Sequence, residues 1–67
     1  MRLIINQQET TIEKDASLQL ALTSIGMEEA RGIAVAVNNK VVPKAKWAEF
    51  LLNEDDKITV IRATQGG

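Results

Sequence analysis

The sequence predicts an α+β fold in which a mixed sheet of four to five strands packs on one main helix. Three observations carry this expectation. Ser17 to Ile25 has the apolar spacing of a helix, the apolar segments around it have the short period of strands, and the first and last of those segments are both rich in Ile and Val. A lone helix covers only one face of a sheet, so the other face is left to solvent or a partner.

Arg2 to Asn6 is a short β-rich run, and Thr10 to Lys14 is a second with polar alternation. Gln7, Gln8 and Glu9 between them form a loop of hairpin length, without the Asn-Gly or Asp-Gly pair of the tightest turns. In the helix, Leu18, Ala21, Leu22 and Ile25 recur on one face. Ser17 is the expected N-cap, because its hydroxyl can accept from the free amides of the first turn. Gly26 stands just past the last periodic residue, where a left-handed residue ends a helix.

A charged connector, Met27 to Gly32, leads to the clearest strand, Ile33 to Val37. Ile33, Val35 and Val37 fall on one face, Ala34 and Ala36 on the other. Asn38-Asn39-Lys40 reads as a turn and Val41-Val42 as a short partner strand stopped by Pro43. Lys44 to Leu52 accommodates a single helical turn, and the acidic run Glu54-Asp55-Asp56 reads as a solvated turn before the last strand, Lys57 to Arg62. Residues 1–62 thus form one domain, and 63–67, without period and ending Gly66-Gly67, form a flexible tail.

Composition narrows the function. The 67 residues make one small domain. With 0 His and 0 Cys there is neither a disulfide staple nor a zinc site, and stability falls to apolar packing among the 45% of residues that are hydrophobic. A net charge of −1 and 3% aromatics, Trp47 and Phe50, argue against nucleic acid as a partner. Trp47 is expected to pack beside Phe50 and Leu51. No apolar stretch has the length of a signal sequence or a membrane span, so a cytoplasmic protein is expected, monomeric when alone; its Met1 start is expected to open a complete reading frame.

Side chains supply no catalytic set. The common covalent and acid–base catalysts are missing, and Ser17 and Ser24 have no histidine to activate them. No bound cofactor or metal is expected. The Gly66-Gly67 end is different in kind. Glycine has no Cβ, so such a tail threads a narrow channel and approaches a nucleotide closely. A free carboxylate is a poor electrophile; as an acyl-adenylate it gains a good leaving group, which a sulfur nucleophile displaces. In a chain without cysteine, a thiocarboxylate at Gly67 is the plausible place to carry transferable sulfur.

This strand order with a Gly-Gly end resembles the ubiquitin-like β-grasp sulfur carriers, and within them the ThiS family of thiamine biosynthesis. The resemblance runs the whole length. It is strongest over Ala34-Val35-Ala36-Val37-Asn38, Lys40-Val41-Val42-Pro43 and Trp47, then the acidic turn, the last strand and Gly66-Gly67. Two features depart from the family pattern: the acidic turn has no central glycine, and Ala63-Thr64-Gln65 is more polar than the usual approach to the glycines.

The resemblance implies a cycle in which the chain is a cosubstrate and not an enzyme. An E1-like adenylyltransferase of the ThiF type would use ATP and Mg to activate Gly67. A persulfide derived from a cysteine desulfurase would supply sulfur, and a thiazole synthase of the ThiG type would receive it. Gly66 and Gln65 would thread the tail into these partners. If Leu3, Ile5, Val35, Val37, Ile58 and Val60 face the helix, alternation sends Ile4, Ala34, Ala36 and Ile61 outward as a docking face. The alternatives are a carrier like the small subunit of molybdopterin synthase, a carrier for cysteine synthesis, a modifier conjugated to lysines through Gly67, and a β-grasp binding module without terminal chemistry.

Overall fold

The computed structural model describes residues 1–27 and 32–62. Within them run β1 (Arg2–Ile5), β2 (Gln8–Thr11), α1 (Leu18–Ser24), β3 (Ile33–Val37), β4 (Lys40–Val41), a 3-10 turn (Lys44–Lys46) and β5 (Lys57–Arg62). The strands form a five-stranded sheet ordered β2-β1-β5-β3-β4. β1 and β5 are parallel, and the other neighbours are antiparallel. This is the mixed, one-helix β-grasp sheet expected from the sequence. The tail predicted over 63–67, with Gln65, Gly66 and Gly67, lies outside the described residues.

Helix α1 forms where its caps and Leu18, Ala21 and Leu22 predict, but Ile25, expected on the same face, is the residue that caps the helix and is exposed. Ser17 Oγ accepts from the Leu20 amide at 3.1 Å, and Gly26 closes the other end with φ of 75°. A helix of this length is marginal alone; burial of Leu18, Ala21 and Leu22 holds it. These pack with Leu3, Ile5, Val35, Val37 and Ile58 from the sheet and with Val42, Trp47 and Leu52 from the segment after β4. Each fully buried aliphatic side chain stabilises by about 1.5–3 kcal/mol. Trp47 is 4% exposed, and its indole N–H donates to the Val42 carbonyl at 2.9 Å. It packs as expected with Phe50 at the core's margin, but Leu52 and not the exposed Leu51 joins it there.

The hairpins differ from the sequence reading. The first turn is Asn6-Gln7, with φ of 50° and 69°, so β2 begins at Gln8 and ends at Thr11, short of the predicted Lys14. A two-residue turn with both residues left-handed matches the strand twist, and asparagine tolerates that conformation. The next residue, Ile12, still pairs with Met1, whose amine donates to its carbonyl at 2.8 Å. The second turn repeats the device: Asn38 and Asn39 have φ of 51° and 71°, and β4 starts at Lys40, a residue predicted to be turn.

The acidic run is not simply a solvated turn. Asp56 is 8% exposed; its carboxylate accepts from Asn38 Nδ2 at 2.9 Å and from the Asn53 amide at 2.8 Å. Buried carboxylates persist where such donors meet them. Its neighbours face outward and clasp Arg2: Asp55 Oδ1 lies 2.7 Å from Arg2 Nη2, and Glu54 accepts from the Arg2 amide at 2.8 Å. The hydrogen bond that Arg2 donates to Asp55 first, then the charges of Asp55 and Glu9, raise the Arg2 pKa above its ordinary value.

Candidate functional site

The last strand is the element that delivers the Gly-Gly segment, and it lies at the centre of the sheet. Along one edge β5 pairs with β3 throughout, from Val37↔Ile58 to Ile33↔Arg62. Along the other edge β1 reaches only as far as Ile5↔Ile58. Above that point the turn residue Asn6 takes over. Its backbone amide donates to the Ile58 carbonyl at 2.9 Å, and its side-chain carbonyl accepts from the Val60 amide at 2.8 Å. At the top of the strand, Arg62 Nη2 lies 3.6 Å from Met27 Sδ. The strand is therefore held on both edges almost to Arg62, its last residue.

The predicted inward set is buried or half-buried, so the alternation places Ile4, Ala34, Ala36 and Ile61 on the outer face. Ala34 and Ile61 are cross-strand partners near the end of β5. Ile61 is 56% exposed. Ile4 is half-buried and pairs with Lys57 at the other end of β5, about 13 Å away at the ordinary rise of a strand. The four residues thus line a strip along β5 and not one compact patch.

Ala36 departs from the expectation of an exposed contact. It is 9% exposed, because Thr59 of β5 and Val41 of β4 flank it in register. Its methyl is the floor of the strip. Sequence reasoning missed Val41, which is 71% exposed beside it. The signal was present: Val42 faces the core, so alternation turns Val41 outward.

An open recess of about 560 Å³ lies along the strip, lined by Ile4, Asn6, Gln7, Lys57, Ile58 and Thr59. A second, of about 320 Å³, follows the free side of β4 and is lined by Val41, Val42, Pro43, Lys46, Glu49 and Phe50. Among the described residues no three His, Cys, Asp or Glu side chains gather in a way that would hold a metal ion. No helix among them is long and apolar enough to cross a membrane. What the described surface offers is a mixed apolar and polar strip that runs along β5 as far as Ile61.

Comparison with known proteins gives this geometry a family. The sequence model of the ThiS family matches residues 1–67. A thiazole synthase of Paramagnetospirillum magneticum is 30% identical over 67 residues, which span all of this chain but only 20% of that much longer protein. The sulfur carrier protein ThiS of Escherichia coli is 25% identical over 67 residues, covering both chains completely. Among solved structures, the crystal structure of the thiamine biosynthesis protein ThiS from Geobacter metallireducens superposes with a TM-score of 0.84 over the full length of both chains, at 17% identity. The solution structure of a thiamine biosynthesis protein from the same organism gives 0.76, covering all of this chain and 88% of the other. The fold, the central last strand and the match over the whole length together establish that the chain belongs to the ThiS family, small sulfur carriers of thiamine biosynthesis that are not themselves enzymes.

Proposed function

We propose that the chain carries sulfur as a thiocarboxylate on Gly67 and delivers it to a thiazole synthase. The observation that supports this best is the full-length match to the ThiS family, ending at the Gly66-Gly67 pair. In the proposed cycle an adenylyltransferase of the ThiF type binds ATP and Mg, and a carboxylate oxygen of Gly67 attacks the α-phosphorus, releasing pyrophosphate. A persulfide from a cysteine desulfurase then attacks the carbonyl carbon, and AMP departs with the bonding electrons. The new bond is C–S, so the product is an acyl disulfide. A thiol then attacks the donor's sulfur, the original S–S bond breaks, and a mixed disulfide with the donor and the free thiocarboxylate are left. A thiazole synthase of the ThiG type accepts the sulfur; the C–S bond to Gly67 breaks as an oxygen, from water or the acceptor, adds to the acyl carbon, and the carboxylate returns. The P. magneticum thiazole synthase supports that last partner, since a segment of it matches this whole chain.

Gly66 and Gln65 are proposed to line the threaded tail, and the strip of Ile4, Ala34 and Ile61 over the Ala36 floor to dock both partners in turn. The setting is one where ATP and persulfide meet, the cytoplasm. The carrier is proposed to act as a monomer in solution.

The test is the intact mass of the protein after incubation with a thiamine-pathway adenylating enzyme, ATP, Mg and a persulfide donor. The expected shift is that of one oxygen replaced by one sulfur, lost when Gly67 is deleted or a residue is appended after it. A folded protein that acquires neither adenylate nor sulfur beside a demonstrably active enzyme rejects the reading. The molybdopterin and lysine-conjugation partners are then the ones to try.

A further inference from the structure

We propose that Asn6 is a positioning residue for the tail: its side-chain carbonyl stands in for a strand residue that β1 lacks and fixes the course of β5 where the tail leaves. The proposal rests on the carrier reading above, which makes the direction of that exit matter.

The geometry carries it. Because the Asn6 amide donates to the Ile58 carbonyl, the backbone groups of Ile58, and by the period of two those of Val60 and Arg62, point toward the β1 edge. β1 ends at Ile5 and the chain turns away at Asn6 and Gln7. Without a substitute, the Val60 amide on that edge has no strand to meet. Asn6 Oδ1 accepts it at 2.8 Å. The same residue therefore makes the left-handed turn, extends the β1–β5 ladder by its amide, and carries that ladder one step further by its side chain. Two separable demands fall on one position, and asparagine meets both: it tolerates φ of 50°, and it carries an acceptor on a short stem.

The other edge of β5 supplies an internal control. Asn38 makes the equivalent turn, donates its amide to the Lys57 carbonyl at 2.8 Å and accepts from the Lys57 amide at 3.0 Å. It holds the beginning of β5, far from the tail. Loss of the Asn38 acceptor costs stability at the wrong end to disturb the exit.

The experiment compares Asn6→Gly, Asn6→Asp and Asn38→Gly in the full chain, by amide hydrogen exchange and by kinetics with the adenylating enzyme. Glycine keeps the left-handed turn and removes the acceptor; aspartate keeps the acceptor. In Asn6→Gly the Val60 amide is expected to exchange about fivefold to tenfold faster, the effect of one lost hydrogen bond, while Leu3 and Val35 are unchanged. With the end of β5 less firmly held, the carrier is competent for a smaller fraction of the time, so KM for the carrier rises several-fold with kcat unchanged. Asn6→Asp is expected to restore both readings, and Asn38→Gly to leave KM at its native value. Unchanged Val60 exchange in Asn6→Gly overturns the proposal, as does an unchanged KM beside faster exchange, or an equal rise of KM in Asn38→Gly. A native chain that is not adenylated at all rejects the carrier chemistry instead, and the Val60 exchange rate still decides whether Asn6 holds the strand.

Discussion

Asp56 and Asn38, one at the end of the acidic run and one in the turn after β3, are joined by a 2.9 Å hydrogen bond that ties the entry of β5 to the far hairpin. The other carboxylate oxygen of Asp56 takes the Asn53 amide at 2.8 Å, so a single buried carboxylate orders the chain on both sides of the turn. Asp56→Ala strands both donors and is expected to cost about 1–3 kcal/mol. Asp56→Asn, which keeps one acceptor oxygen, is expected to fall between the native protein and the alanine variant in urea denaturation. Equal midpoints for all three would show that the carboxylate is not holding the turn.

Trp47→Phe removes the donor that satisfies the buried Val42 carbonyl while retaining most of the aromatic volume. The expected loss is about 1–3 kcal/mol, and in a domain of this size each 1 kcal/mol lowers Tm by about 4–8 °C. Circular dichroism during heating reads it without the tryptophan. A Tm within a degree of native would mean the carbonyl finds another donor.

Arg2→Ala releases Glu9 and Asp55 from the guanidinium, while the backbone amide at position 2 still donates to Glu54. Its charged partners are exposed, so the stabilisation is expected to be small and to shrink as salt rises and screens it. Because the Arg2 pKa is raised, the guanidinium's share is fully present below its ordinary pKa and is lost only as pH climbs through the raised value; across neutral pH it is constant. Thermal unfolding of native and variant protein at low and high salt checks this. A difference that salt leaves untouched would place the effect in packing of the arginine stem.

Ile61→Glu and Ile4→Glu test the outer strip. Ile61 is largely exposed, so its substitution is expected to change stability by less than about 0.5 kcal/mol; Ile4, half-buried, is expected to cost more. Both are expected to weaken binding to the adenylating enzyme and to thiazole synthase, read by titration calorimetry with chains shown to be folded. Full thiocarboxylate formation at native rates in either variant would remove that residue from the docking face.

Much of the architecture was legible because helix and strand carry different periods. Ser17, the Leu18–Leu22 face and Gly26 announce α1 at both ends, and the alternation of Ile33 to Val37 gives the sheet its two faces. The hairpins were misjudged at their turns. Asn6-Gln7 and Asn38-Asn39 take left-handed conformations without any glycine, so the usual marker is missing and the strand boundaries slide. Asp56 was misread for a related reason. In sequence it is the third of three acids, and only the meeting of Asn38 and Asn53 at one point in space reveals that it is paired and buried. The role of Asn6 was likewise invisible, since its partner is the Val60 amide, a group every residue type but proline carries.

The sheet order has a consequence for how the molecule comes together. Each hairpin is made of neighbours in sequence and closes quickly, but neither is anchored to the other until β5 slides between β1 and β3. Arg2 and Asp55, which meet across that join, are separated by 53 positions. Contacts of such long range are the slow ones in folding, because their loop must be closed before they contribute anything. The strand that bears the tail is thus the wedge that completes the domain. A chain still short of residues 57–62 on the ribosome is two loose hairpins and a helix, and the centre of the domain is shut only when β5 is in place.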